Sequence, residues 1–167
     1  MTVHPITYLP APVLRQKAKR VPKIDASIRR LIEDMIESMY EANGVGLAAP
    51  QIGVSLKVVV IGIPDEEPFA LINPEIVKVS GERTVDEGCL SVPGYRAELT
   101  RHSQVVAKAL SPEGKEVRIK AKDNLLAQAL EHEIDHVNGI LYIDHLPSLD
   151  VLEKVEDSSR RRERAAR

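Results

Sequence analysis

The chain has 167 residues, 43% of them hydrophobic, which suits one domain with a real core. A formal net charge of −2 gives no global attraction for nucleic acid, and a single cysteine excludes an intramolecular disulfide. No apolar run is long enough for a signal sequence or a membrane span, so the expected compartment is the cytoplasm, with no membrane partner.

Aromatic residues are only 3% of the chain, so the core must be built from Val, Ile, Leu and Ala. Residues 1–22 contain Pro5, Pro10, Pro12 and Pro22, which predicts an extended arm wrapped on the domain, with at most a helical turn near Val13 to Lys17. From Ser27 to Ala42, Ile28, Leu31, Ile32, Met35, Ile36 and Met39 recur at helical spacing among charged residues, and predict an amphipathic helix. Gly44 to Gly53 follows, small and apolar except for Gln51. It lacks the lysine and hydroxyl pattern of a phosphate-binding loop, and its glycines suit either a flexible connection or a backbone that a ligand approaches closely.

Leu56 to Ile63 reads as a buried strand closed by Pro64. Pro74 to Ser80 and Thr84 to Asp86 flank Gly81 like the arms of a hairpin. Gln104 to Leu110 and Glu116 to Ala121 form a second pair around the turn Ser111-Pro112-Glu113-Gly114. The sheet is therefore expected to be largely antiparallel. A helix beginning at an Asp123 N-cap and stopping at Gly139 comes next, and a last segment from Ser148 reads as helical.

The chemistry is concentrated in that penultimate helix. His132 and His136 lie four residues apart and so share one helix face, where both imidazoles can reach one metal ion. Glu133 stands about 100° round from His132, off the ligand face but near enough to serve as a general base. A catalytic site of this kind needs a third protein ligand. One large class of metallopeptidases uses a histidine six residues past the second, but Tyr142 stands there, and Cys89 is the best remaining candidate. Asp135 and Asp144 are candidates to orient a ligating histidine, although Asp135 reads first as an exposed acid. His4, His102 and His145 have no partner at ligand spacing and read as structural or surface residues.

Three segments, Gly44-Val45-Gly46-Leu47-Ala48-Ala49-Pro50-Gln51, Glu87-Gly88-Cys89-Leu90-Ser91 and His132-Glu133-Ile134-Asp135-His136, in this order and separation, resemble the motifs of peptide deformylases of the bacterial type. The resemblance runs from about Ile6 to Leu152. It implies an α+β fold with mixed, largely antiparallel sheets around a central metal-binding helix, flanked by N-terminal and C-terminal helices. It implies one catalytic domain over 1–167 with a basic tail at 157–167. The implied activity is hydrolysis of the formyl group from the N-terminal formylmethionine of new polypeptides, with metal-bound water attacking the formyl carbon.

Carried over residue by residue, the resemblance makes Cys89, His132 and His136 the metal ligands and Glu133 the general acid/base. It assigns oxyanion donors to the Gln51 amide and the Leu90 N–H. Gly44, Val45, Gly46, Gly88, Leu125 and Ala129 match substrate-binding positions, with His132 also at the pocket wall. Arg96 matches a basic residue near the peptide, and Gln128 is a more polar lining than is usual there. The implied ion is Fe²⁺, with Zn²⁺, Ni²⁺ or Co²⁺ as substitutes, because sulfur plus imidazole accepts several divalent metals. The resemblance also implies that the peptide backbone is held like an added strand, against the Gly44 to Gly46 segment and the region after Cys89. The ribosome is an expected partner of the tail's arginines, and no stable oligomer is implied. The rival readings are another metallohydrolase, an aminopeptidase or amidase, and a non-catalytic zinc-binding or ribosome-associated module.

Overall fold

The computed structural model describes residues 2–155. The amphipathic pattern forms α1 (Ala26–Glu41), capped by Asp25, whose side chain accepts from the Ile28 N–H. The glycine-rich stretch becomes a short strand, β1 (Gly46–Ala48), and a 3₁₀ turn over Ala49–Ile52. β2 (Val58–Ile61), β3 (Phe69–Ser80), β4 (Arg83–Cys89), β5 (Val92–Arg101), β6 (Gln104–Leu110) and β7 (Glu116–Lys122) follow. The metal-motif helix is α2 (Leu125–Val137), and β8 (Glu153–Lys154) closes the described chain.

The strands form two sheets, one in the order β1-β2-β3-β6-β7 and one in the order β4-β5-β8, and every strand pairing is antiparallel. α2 lies on one face of the larger sheet, where Ala127, Leu130, Ile134 and Val137 meet Val59, Ile61, Leu71, Val105 and Ala107. α1 packs on the other face through Ile32, Met35 and Met39 against Val58, Val60, Ala70 and Ile72. Buried on both faces, β2 carries the unbroken run Val58-Val59-Val60-Ile61 rather than an alternation. No helix among the described residues is long and apolar enough to cross a membrane.

The structure corrects three sequence expectations. The segments around Gly81 do not pair with each other: β3 continues in the larger sheet against β6, while β4 starts the smaller sheet against β5. The N-cap of α2 is Asn124, whose side chain accepts from the Ala127 N–H at 2.9 Å, because Asp123 adopts the left-handed conformation. The helix expected from Ser148 is a 3₁₀ turn over Leu149–Val151 followed by β8, which pairs with β5 through Tyr95 and Arg96. The basic tail at 157–167 lies outside the described residues.

Candidate metal and active site

α2 ends where its sequence says it should. Gly139 takes φ +77°, its N–H donates to the His136 carbonyl, and the Ile140 N–H donates to the Asp135 carbonyl, a Schellman closure. This holds the last turn, and with it His136, against the domain. Cys89 arrives from the other sheet, at the end of β4, where the pairing steps from Gly88↔Arg96 to Cys89↔Val92 and the chain turns through Leu90 and Ser91. The ligand atoms of Cys89, His132 and His136 lie within 4.8 Å of one another. Cys89 Sγ is 3.3 Å from His136 Nε2, which is 3.2 Å from His132 Nε2.

Glu133 is 4% exposed. Burial pushes its carboxyl up to about 7, and its Oε2 has no hydrogen-bond partner among the described residues. Gly46 makes room for it: a Cβ there would stand 2.8 Å from Glu133 Oε1. Gln51 is pinned by its own backbone. Its Oε1 accepts from the Ala48 N–H at 2.9 Å, which turns Nε2 toward Ser91 Oγ at 3.2 Å and Cys89 Sγ at 3.6 Å.

Behind the histidines lies a network of buried charge. Glu87 bonds His132 Nδ1 and takes two bonds from the Arg101 guanidinium, at 3.0 and 2.5 Å. Burial alone would raise the Glu87 carboxyl, but the hydrogen bonds from His132 and Arg101 outweigh it and hold the group at about 2. Glu87 therefore stays anionic and fixes the His132 ring with Nε2 toward Cys89 and His136. Arg101 also donates to Asp135 at 2.8 Å, and Asp135 meets His145 Nε2 at 2.8 Å, so Asp135 is an ion-paired group rather than a free surface acid. Asp144 accepts from Leu141 and Arg15 and hydrogen-bonds neither His132 nor His136. Tyr142 is buried, with its ring stacked against His132 at 6.3 Å between centroids.

His132 and Glu133 open on a cavity of about 700 Å³. Gly44, Val45, Gly46, Gln51, Gly88, Cys89, Leu90, Arg96, Leu125, Gln128 and Ala129 line it with them, so residues from three separate segments of the sequence converge. β1 is the outer strand of its sheet, paired on one side with β2. Sequence reasoning gave no role to Glu87, Arg101 or Ser91, nor to Ile6 and Tyr8 of the arm, which also line the cavity. For Glu87 a signal existed: in β4 it shares the face of Val85 and Cys89, so it is an acid in a buried register.

One thiol and two imidazoles within a few ångströms, beside a buried carboxylate oxygen lacking a partner, fit a divalent cation. Comparison with known proteins points the same way. The peptide deformylase of Dehalococcoides mccartyi (strain CBDB1) is 58% identical over 156 residues, 93% of each chain. The crystal structure of a peptide deformylase from Legionella pneumophila superposes with a TM-score of 0.85 at 49% identity, covering 89% of this chain and 88% of that one. A peptide deformylase from Synechococcus elongatus, in complex with actinonin, gives a TM-score of 0.83 at 39% identity over 87% and 80% of the two chains. With the family model for polypeptide deformylase matching residues 3–151, the chain belongs to the peptide deformylase family of metal-dependent hydrolases.

Proposed function

We propose that this cavity hydrolyses the formyl group from the N-terminal formylmethionine of new polypeptides, the reaction of the family, with Glu133 moving the proton. The observation that carries the assignment is the Glu133 carboxylate, buried, lacking a partner on Oε2 and set beside the Cys89–His132–His136 cluster. Those three residues are the proposed ligands, and Fe²⁺ is the proposed resident ion, with Zn²⁺, Ni²⁺ or Co²⁺ able to replace it. Such an ion supplies Lewis acidity, bringing the pKa of water towards neutral and drawing charge from the formyl oxygen.

Glu133 takes a proton from the attacking water and returns it to the leaving amine; burial raises its carboxyl's affinity for that proton, which suits it to hold and pass it on. Gln51 Nε2 and the Leu90 N–H donate to the oxygen on which negative charge develops. Because Oε1 of Gln51 is held by Ala48, the amide needs no reorganisation during the reaction. The free edge of β1, with Gly44 and Val45, accepts the peptide as an added strand, while Gly88, Leu125, Gln128 and Ala129 wall the methionine side chain. Arg96, paired with Asp86 at 2.9 Å on the cavity rim, reaches the peptide backbone.

Glu133→Ala tests the assignment. The variant should keep its metal and release formate from formyl-Met-Ala-Ser roughly 10²-fold or more slowly, the usual scale of general acid–base catalysis. Near-normal turnover at full metal occupancy would remove Glu133 from the mechanism.

A further inference from the structure

On the face that carries α1, the larger sheet has two unlike halves. Val58, Val60, Ala70 and Ile72 lie under the helix, and Leu110 at the end of β6 joins them. Beyond Leu110 the same face continues across the ends of β3, β6 and β7, and its residues follow from the register. Glu75, Lys108 and Arg118 form the first row; Lys78, Val106 and Lys120 form the next; Ser80, Gln104 and Lys122 form the last. The intervening residues Val105, Ala107, Ile119 and Ala121 belong to the core on the α2 side, so the period of two turns the cations outward. They line a groove of about 610 Å³.

Charge separates this groove from ordinary solvated surface. Lys78, Arg118, Lys120 and Lys122 line it, and no carboxylate does. Lys108, between Glu75 and Arg118, is neutralised by Glu116 at 3.1 Å, whereas none of the four groove cations has an acidic partner within ion-pair distance among the described residues. Lysines on β7 protect an outer strand from pairing. That does not explain Lys78 two strands away, or the lack of any acid in the two rows beyond Glu75 and Glu116, in a chain whose net charge is −2.

We propose that this face binds the phosphate backbone of double-stranded RNA. Cations repeat about 7 Å apart along the strands and about 10 Å apart across two strand spacings, an array suited to a row of phosphates. The groove has no aromatic side chain on which an unpaired base can stack, which favours a duplex read by shape over a single strand. The choice of RNA over DNA rests on the reading of the cavity, because new polypeptide N-termini emerge where RNA is the abundant polyanion.

The full chain, as parent and as the K78Q/K120Q/K122Q and K78E/K120E/K122E variants, is titrated into a labelled RNA duplex across a series of salt concentrations. The tail is present throughout and cancels from the comparison. The glutamine variant should bind ~10-fold or more weakly near 0.1 M salt, with a slope of log affinity against log salt shallower by about 2 to 3, and the glutamate variant more weakly still. Melting temperature and formate release from formyl-Met-Ala-Ser should match the parent. Unchanged affinity and slope in both variants would overturn the proposal, as would binding of duplex DNA or anionic lipid vesicles as tightly as RNA. Formate release is read in the same samples, so a parent that binds RNA through these lysines yet releases no formate counts against the cavity reading and the choice of RNA, not against a polyanion surface.

Discussion

Arg101 is a buried cation whose guanidinium reaches Glu87, Asp135 and His145, and through Glu87 it reaches the ring of His132. Removing a single partner from such a cluster leaves an uncompensated charge, which is more damaging than the net worth of the cluster suggests. Glu87→Gln should keep the shape but lose the anion that orients His132, so metal affinity should fall about 10- to 100-fold, the scale of second-layer carboxylates. Competitive metal titration against a chelator measures it; unchanged affinity would reduce Glu87 to a packing role. Gly46 acts by its size. Gly46→Ala places a methyl 2.8 Å from Glu133 Oε1, and the displaced carboxylate should lower turnover on the order of 10²-fold while metal content stays that of the parent. Normal turnover would show that the carboxylate tolerates the shift.

At the scale of elements, the closure of α2 is the joint that holds His136 in place. Gly139 sits at φ +77° and a Cβ there would meet the Arg15 carbonyl oxygen at 2.7 Å, so both backbone conformation and space demand glycine. Gly139→Ala should cost at least about 1–2 kcal/mol, the penalty of the left-handed conformation alone, read as a lower denaturant midpoint. An unchanged midpoint would mean that the arm simply moves aside. Both helices were legible in the sequence because a 3.6-residue period over many residues is a local signal, and the two histidines inherit their geometry from it. The Gly81 crossing was not, since two strands separated by a glycine read alike whether they pair with each other or enter different sheets. β8 was missed for a related reason: two residues acquire strand character only from Tyr95 and Arg96, far away in the chain. The members of the Cys89–His132–His136 cluster were legible in the sequence, but the Glu87–Arg101–Asp135 network depends on contacts between β4, β5 and α2 that no local pattern encodes.

Across the whole molecule, the two sheets deliver different halves of one site: β1 and the Gln51 turn come with the larger sheet, and Cys89 and Leu90 with the smaller. The chain also carries five arginines among its last eight residues, beyond the described region. We propose that this tail docks on ribosomal RNA. Truncation after Glu156 should then weaken ribosome co-sedimentation, increasingly so at low salt, while sparing hydrolysis of a short formyl peptide. Equal co-sedimentation by parent and truncated chain would leave the tail without that role. The proposed roles of the site residues make a sharper demand on the substrate: under them the acyl carbon must fit between water, the Gln51 and Leu90 donors and Glu133, with hydrogen as its only other substituent besides the amide nitrogen. An acetyl group adds a methyl there and displaces the carbonyl from its donors, a loss of roughly 10²-fold or more. The most direct measurement gives formyl-Met-Ala-Ser and acetyl-Met-Ala-Ser to anaerobically prepared, metal-loaded protein and quantifies formate, acetate and free amine. Formate from the first peptide, almost nothing from the second and no internal cleavage of either is the expected result; comparable acetate release, internal cleavage, or no product from either peptide with metal bound would contradict it, pointing respectively to an amidase, a peptidase or a non-catalytic module.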